Sequence, residues 1–164
     1  MKKITYLIIS FILFIYINAC AGYKPIFSSS NLQFEIADYS LKGNKKLGKK
    51  IYSKLYNLSK SNINSTEAQS IYIIIEVSKD KYATAKNAAG KIIAYKVSLN
   101  VNIIVKNFLT NDEIINKNFI TSSSYKTQDQ HSATKDLENK NIEDLINKTY
   151  QDLVIVLSEN MLTG

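Results

Sequence analysis

The chain has no tryptophan and no arginine, and it contains only one cysteine, one histidine and one proline. A single cysteine cannot form a disulfide within its own chain, and one histidine with one cysteine does not make a typical zinc ligand set. Without arginine there is no guanidinium for bidentate phosphate recognition, so each lysine can act only as a point charge. The composition excludes a disulfide framework and disfavours a metal centre.

Sequence motifs of an enzyme are also missing. His131 lies in a polar segment two residues after Asp129, and no serine or cysteine stands in a nucleophile motif. The five glycines are too scattered for the phosphate-binding loops GxGxxG or GxxxxGK[ST]. Glu143 and Asp144 are adjacent on a predicted helix and therefore point apart. We expect a protein that is not an enzyme and needs no cofactor or metal, with His131 as an exposed loop residue.

The N-terminus has the pattern of a bacterial export signal. Lys2 and Lys3 precede an uncharged stretch at residues 4–17, and Ala19 and Cys20 follow it. A positive start, a short apolar stretch and a small residue before the cleavage point are typical of a secretory signal. The apolar stretch is shorter than the roughly 20 residues that a membrane-spanning helix needs. These features predict export of the mature chain.

The position of Cys20 indicates lipidation, because a cysteine directly after the predicted cleavage point resembles the bacterial lipobox. Lipidation also accounts for a lone cysteine in an exported chain. We predict a lipoprotein signal peptide at residues 1–19, a lipid anchor and tether at 20–30 and a single domain at 31–164. A soluble secreted protein and a single-span anchor are the alternatives at this point.

Hydrophobic periodicity predicts six elements in that domain. Alternating apolar and polar residues indicate strands, and apolar residues spaced three and four apart indicate helices. The clearest strand alternates without a break from Ile93 to Val105. The predicted elements are strand 31–41, helix 45–59, strand 69–86, strand 91–106, strand 113–126 and helix 133–161. This order favours an α+β fold in which two helices pack on one face of a four-stranded, mainly antiparallel sheet.

The hairpin of the second and third strands needs an irregularity. A two-residue loop at Ala88–Ala89 would set Ile75 opposite Asn102, so the apolar residues of the two strands would face opposite sides. A sheet with one buried face does not tolerate that arrangement. We therefore predict an odd loop length, or a bulge between Ser78 and Tyr82.

The formal net charge is +7, and lysines carry all of the positive charge counted in it. A basic surface suits nucleic acid, anionic lipid or an acidic partner. Export makes nucleic acid the least favoured of these, and an anionic glycolipid or membrane surface remains. The densest basic run, Lys42 to Lys50, is typical of a solvated helix face. Lys91 after the turn and Lys135 at the start of the last helix are stronger candidates for a binding role.

These residues resemble a known lipoprotein family. The segment Gly22–Phe27, which reads GYKPIF, is similar to the Cys-Gly-Phe-x-Pro-Leu-Tyr opening of alphaproteobacterial LPS-assembly lipoproteins, the LptE family. The strand order, the Tyr95-x-Val-x-Leu-x-Val centre and the segment from Thr134 to Leu145 also resemble this family. Ala21, between the cysteine and the glycine, departs from the family's opening.

Membership would imply an outer-membrane lipoprotein that faces the periplasm. Its partner would be the β-barrel LptD, in which the domain sits as a plug, and the pair would insert lipopolysaccharide into the outer leaflet. The resemblance also implies assistance in barrel assembly, and lipopolysaccharide binding through basic residues that correspond in position to Lys91 and Lys135. The alternative is a periplasmic lipoprotein that serves as a binding module of another envelope or ABC-type transport complex.

Replacement of Cys20 by serine tests the predicted anchor. We expect Cys20→Ser to yield a folded domain that no longer fractionates with membranes, because it lacks the acyl chains, each contributing ~0.8 kcal/mol per buried methylene. Cell fractionation followed by mass spectrometry of the N-terminus measures both effects. A Cys20→Ser protein that stays in the membrane fraction would show that an uncleaved signal or a partner provides the attachment.

Overall fold

The computed structural model describes residues 32–61 and 68–161. The predicted signal peptide at 1–19, Cys20 and the tether at 20–30 lie outside the described residues. The elements are β1 (Phe34–Gly43), α1 (Lys45–Ser61), β2 (Gln69–Lys86), β3 (Ile92–Asn107), β4 (Glu113–Lys126) and α2 (His131–Met161). Neither α1 nor α2, the two helices of the described residues, is long and apolar enough to cross a bilayer.

The four strands form one sheet in the order β1-β2-β3-β4. β2 pairs with β3 and β3 with β4 in antiparallel fashion, whereas β1 and β2 are parallel. Parallel neighbours need a crossover connection, and α1 lies between these two strands in the chain. The predicted α+β fold, with a mainly antiparallel sheet and the order β-α-β-β-β-α, is confirmed.

Both helices pack on the same face of the sheet, and the core lies between them. The odd-numbered residues of β2 and β3 point to this face, and Ile75 and Leu99 are 0% exposed. The helices contribute apolar stripes at steps of three and four, as the helical period requires. The helical residues buried there are Leu47, Ile51, Leu55 and Leu58 of α1 and Ile142, Leu145, Ile146, Leu153 and Leu157 of α2.

The β2–β3 hairpin has an odd loop, as predicted. Asn87 and Lys91 close the turn, because the Asn87 amide donates to the Lys91 carbonyl at 2.9 Å. The three residues between them set Ile75 opposite Ile103, so both side chains reach the buried face. The predicted alternative, a bulge between Ser78 and Tyr82, is wrong: pairing is regular there, and the irregularity lies between Ala83 and Lys86.

β1 leaves the sheet abruptly at Gly43. The backbone φ of Gly43 is 65°, and the next amide, that of Asn44, donates to the carbonyl of Val77 at 2.7 Å. A Cβ at residue 43 would overlap this same carbonyl oxygen. The Asn44 side chain then caps α1 by accepting from the amide of Leu47 at 3.3 Å. β1 therefore ends opposite Val77, while β2 continues to Lys86.

α2 begins at His131, which was expected to be a loop residue. The polar residues from Gln128 to Ser132 give no periodic signal, so the sequence did not indicate this first turn. Thr134 fixes it, because the Thr134 amide donates to the Gln130 carbonyl at 3.2 Å and the Thr134 hydroxyl accepts from the Gln128 amide at 2.8 Å. His131 itself is exposed.

Two glycine substitutions separate the strain of a positive φ from steric overlap. Gly43 and Gly90 have φ values of 65° and 78°, but only at Gly43 would an added Cβ meet backbone, that of Val77. We expect Gly90→Ala to lower the free energy of unfolding by roughly 1–2 kcal/mol, the cost of a left-handed alanine. Gly43→Ala should cost more, because β1 or Val77 must also shift. Urea denaturation measures both, and equal losses would contradict the proposed overlap.

Candidate functional site

The hairpin tip holds Lys91 on a well-bonded turn. The Asn87 side chain accepts from the amides of Ala89 and Lys91 at 3.0 and 2.9 Å, an arrangement typical of asparagine in turns. The Gly90 amide donates to the Asn87 carbonyl at 2.9 Å. Lys91 is exposed directly after this turn. Its ammonium group is therefore free to meet a ligand while its backbone is fixed.

The segment before α2 is bonded to the same end of the sheet. The Thr127 amide donates to the Ile93 carbonyl at 3.0 Å, and Lys126 pairs with Ala94. The Thr134 hydroxyl joins the Gln128 backbone, so α2 starts beside the hairpin. The fold thereby brings the turn that carries Lys91 and the helix start that carries Lys135 to one end of the molecule.

We call this end the basic tip and define it by four lysines. Lys91 and Lys126 line a cavity of about 370 Å³ together with Asp129, whereas Lys135 is outside that lining. No carboxylate in residues 32–61 or 68–161 lies within ion-pair distance of any of the four. The basic tip consists of Lys86, Lys91, Lys126 and Lys135.

Lys126 is a member of the basic tip that sequence reasoning missed. It lies at the end of the fourth strand, far along the chain from Lys91. The signal that could have found it is the pairing of the third and fourth strands. That register sets Lys126 opposite Ala94, three residues after Lys91.

Glu138 of α2 lies beside this region and binds two other lysines. Its carboxylate accepts from Lys81 at 2.5 Å, Lys79 at 3.3 Å and the Tyr125 hydroxyl at 3.1 Å. The Lys81 ammonium also stands 4.3 Å from the centre of the Tyr95 ring, within the range of a cation–π contact. This cluster joins β2, β4 and α2 in one polar network.

Burial and hydrogen bonding act in opposite directions on the pKa of Glu138. Burial raises the pKa, but hydrogen bonds from Lys81, Lys79 and Tyr125 together lower it below its ordinary value of 4.5. The hydrogen bond to Glu138 raises the pKa of Lys81. Burial raises the pKa of Tyr125. The Tyr125 hydroxyl therefore stays protonated and donates its hydrogen bond to Glu138. Glu138 is thus an anion at neutral pH and neutralises part of the charge of Lys79 and Lys81.

The lysines of α1 form a second basic surface. Lys50 and Lys54 lie 2.5 and 4.0 Å from Glu143 of α2, and all three side chains are substantially exposed. Exposed pairs of this kind contribute little to stability. The groove between the helices measures about 490 Å³ and is lined by Lys46, Lys49, Lys50, Ser53, Lys54 and Glu143. The expected solvated helix face is what the structure shows.

The face of the sheet away from the helices is polar along its centre. Asn102 of β3 pairs with Asn118 of β4, and Glu76 of β2 lies on the other side of Asn102. A shallow cavity of about 360 Å³ lies there, where β1 ends. It is lined by Gly43, Glu76, Val77, Ser78, Asn100, Asn102 and Asn118. A few larger side chains, including Tyr82 and Ile120, are exposed elsewhere on this face.

Nothing in the described part of the chain resembles a metal centre, since no group of three or more histidine, cysteine, aspartate and glutamate residues comes together there. Every buried side-chain nitrogen and oxygen in that part has a hydrogen-bond partner. No protein-family profile matches the chain, and no curated protein is significantly similar in sequence.

Solved lipoprotein structures share this fold. Lipoprotein B from Nitrosomonas europaea, described as uncharacterised, matches with a TM-score of 0.55 at 14% identity, covering 87% of this chain and 92% of its own. A candidate lipoprotein from Caulobacter crescentus also reaches 0.55 at 14% identity, with 83% and 92% covered. A minor lipoprotein from Acinetobacter baumannii reaches 0.53 at 15%, with 78% and 95% covered. At these identities the likeness establishes the fold alone.

Replacement of Glu138 by glutamine tests the network through pH. Because the folded-state pKa of Glu138 is lowered, its stabilising effect is complete well above pH 4.5 and is lost as the pH falls through the folded-state pKa. We expect Glu138→Gln to lower the free energy of unfolding at pH 7 by about 1.5–3 kcal/mol. The loss should shrink as the pH falls toward 3. Urea denaturation across this range measures it.

Glu143→Gln is the matched control, because Glu143 also pairs with two lysines but is exposed. Its effect should stay below about 1 kcal/mol and fade in 0.5 M salt. Equal losses in the two variants would contradict the special position of Glu138.

Proposed function

We propose that this chain is an outer-membrane lipoprotein of the LptE type, anchored through Cys20 with its domain on the periplasmic side. In this proposal the domain plugs an LptD-like β-barrel, helps it to assemble and assists the insertion of lipopolysaccharide into the outer leaflet. The N-terminal sequence supports the anchor, and the shared lipoprotein fold is compatible with it.

The observation that carries the proposal is the meeting of two distant segments at the basic tip. The resemblance assigned ligand contacts to Lys91, near the central hairpin, and Lys135, before the last helix. The fold brings both segments to one end, where Lys126 lines a cavity together with Lys91. The spacing of the two lysines in the sequence does not predict this convergence, which supports the assignment.

The chemistry of the basic tip fits a ligand with several phosphates. The four ammonium groups form no ion pair with a described carboxylate, although Asp129 lines the cavity beside Lys91 and Lys126, and lysine binds phosphate as a point charge. The first turn of α2 adds the positive end of a helix dipole and contains no acidic residue. Lipid A phosphates and acidic core sugars present such anions close together.

The polar sheet face supports a location inside a barrel. Large outer-membrane barrels have a polar lumen, so a plug must present polar groups to it. Asn100, Asn102 and Asn118 provide such groups across two neighbouring strands. Nearer the start of β2 the same face carries the paired Ile74 and Ile104, so it is the centre of the sheet that suits a wet lumen.

Co-purification tests the proposed partner. The full-length lipoprotein with a C-terminal affinity tag is extracted from outer membranes in detergent. Recovery of a large β-barrel protein in near-equal amount supports the proposal. Recovery of an inner-membrane ATPase complex instead would favour a binding module of an ABC-type transporter and overturn it.

Charge reversal at the basic tip tests ligand binding. We expect Lys91→Glu combined with Lys135→Glu to weaken lipopolysaccharide binding at least about tenfold, because each change replaces an attraction by a repulsion worth ~1 kcal/mol or more at the surface. Stability should change little, since both residues are exposed. Binding is measured with purified lipopolysaccharide by fluorescence displacement at two salt concentrations.

Lys117→Glu is the control for net charge. Lys117 is also exposed and lies on β4 opposite Ile103, away from the basic tip. Its reversal should leave lipopolysaccharide affinity within about twofold at moderate salt, where screening acts over about 10 Å. Equal weakening by the control would mean that overall charge, and not the basic tip, governs binding.

A further inference from the structure

β2 extends well beyond its parallel neighbour. The last residue of β2 that pairs with β1 is Val77, opposite Gly43. From Ser78 to Lys86 the strand pairs on one side only, with β3. We call this segment the β2 overhang. At about 3.3 Å per residue it is roughly 30 Å long, as long as a typical strand or longer.

The hydrogen-bond pattern identifies which backbone groups the overhang leaves free. On the β1 side of β2, the Val77 carbonyl accepts a hydrogen bond and the Gln69 amide donates one. On the β3 side, the Ser70 carbonyl accepts from the Phe108 amide. Backbone groups alternate sides along a strand, so odd-numbered residues face the β1 side. Pairing with β3 is regular as far as Ala83. The amides and carbonyls of Lys79, Lys81 and Ala83 therefore face the open side.

The free edge of the β2 overhang is protected only in part. Natural sheets protect edges with charged residues, β-bulges or a covering helix or loop, and here the bulge lies only at the far end, between Ala83 and Lys86. Lys79 and Lys81 instead direct their ammonium groups to Glu138 on the helix-covered face. Ala83 is exposed, and its methyl group is too small to cover the neighbouring backbone. All three residues are exposed, and no described residue on the open side bonds their six backbone groups.

The cavity of about 360 Å³ lies at the step where β1 ends and the overhang begins. Glu76, Asn100, Asn102 and Asn118 line it, and their side chains make no hydrogen bond or ion pair to any described residue. These side-chain amides and this carboxylate can form hydrogen bonds with a chain that runs in line with β1 beyond Gly43. The step thus combines free backbone groups with free polar side chains.

We propose that the β2 overhang is paired by an extended segment of the β-barrel partner, which adds a strand in the space beyond Gly43. This inference rests on the proposed function. Alternating amides and carbonyls are satisfied by an extended polypeptide, which is the basis of strand addition at sheet edges. The wall strands of a closed barrel are already paired on both sides, so the added strand is a loop segment of the partner that enters the lumen.

Other occupants fit the observations less well. A second copy paired edge to edge would bring two sets of Lys79 and Lys81 together on one ladder, and like charges across strands are destabilising. The described chain begins at Leu32 and resumes at Ala68, both at the Gln69 end of β2. α2 runs away from the basic tip, because Glu138 contacts Tyr125 whereas Thr149 lies by Thr121. The undescribed segments of this chain therefore start far from the overhang.

Hydrogen exchange resolved by residue tests the proposal on the whole lipoprotein, alone and in complex with the co-purified barrel. In the free protein the amides of Lys79, Lys81 and Ala83 should exchange fast, while those of Ser78, Asp80 and Tyr82, bonded to β3, should be protected. In the complex the first three should slow by at least about tenfold. The second three act as an internal control, because their bonds do not change.

Proline at residue 83 provides an independent test. Ala83→Pro removes an amide that makes no bond to β3, and proline is tolerated at such edge positions. We expect it to abolish the new protection of Lys79 and Lys81 and to lower barrel recovery several-fold. Ala83→Ser keeps the amide and should behave like the unaltered protein. Thermal unfolding of both variants shows whether the fold is kept, and the exchange data stand if Ala83→Pro fails to fold.

Each outcome decides the question. A barrel complex in which Lys79, Lys81 and Ala83 still exchange fast overturns the strand pairing and leaves the proposed function intact. Absence of any barrel complex overturns both. Protection that appears without the barrel and rises with protein concentration identifies a second copy as the occupant and also overturns the proposal.

Discussion

The burial of one face of the sheet under two helices is the constraint on which the rest of the molecule depends. Odd-numbered side chains in the paired centres of β2 and β3, among them Ile75, Leu99 and Ile103, are 0% exposed. A slip of one residue between these strands would move that whole set to the solvent face. The register is therefore fixed, and with it the positions of all even-numbered residues. The packing of the helix-covered face therefore also determines which side chains form the polar sheet face and the basic tip.

The same requirement explains how much of the fold the sequence predicts. Strong alternation in β3 implied an odd hairpin loop, and the structure has one, closed by Asn87 and Lys91. The bulge near Ser78 was a wrong alternative, because the loop alone corrects the register. The first turn of α2 escaped prediction since His131 and its neighbours are polar, and the contacts that form it come from Thr134. Bonds of that kind depend on tertiary position, which periodicity does not report.

Some residues of the candidate site can be selected from the sequence, and others are known only from the fold. Lys91 and Lys135 stand at recognisable element ends, so the sequence and its family resemblance select them. Lys126 joins them only through strand pairing, and Glu138 could not be distinguished from other helical carboxylates before its contacts were known. That distinction matters for charge. Glu138 neutralises part of the charge of Lys79 and Lys81 on the helix-covered face, whereas no described carboxylate forms an ion pair with a lysine of the basic tip.

The end of β1 links the packing of the helices to the open edge of the sheet. α1 can cover the buried face only if the chain leaves the sheet plane, and the positive φ of Gly43 with the cap of Asn44 makes that turn within two residues. Because the Asn44 amide donates to the Val77 carbonyl as the chain turns into α1, β1 itself pairs no further along β2. A longer β1 would displace α1, and with it Ile51 and Leu55, two residues of this helix that are 0% exposed in the core. The β2 overhang is therefore a direct consequence of the crossover from β1 through α1 to β2. A free edge created by the packing of the domain is available to any partner that can supply an extended strand.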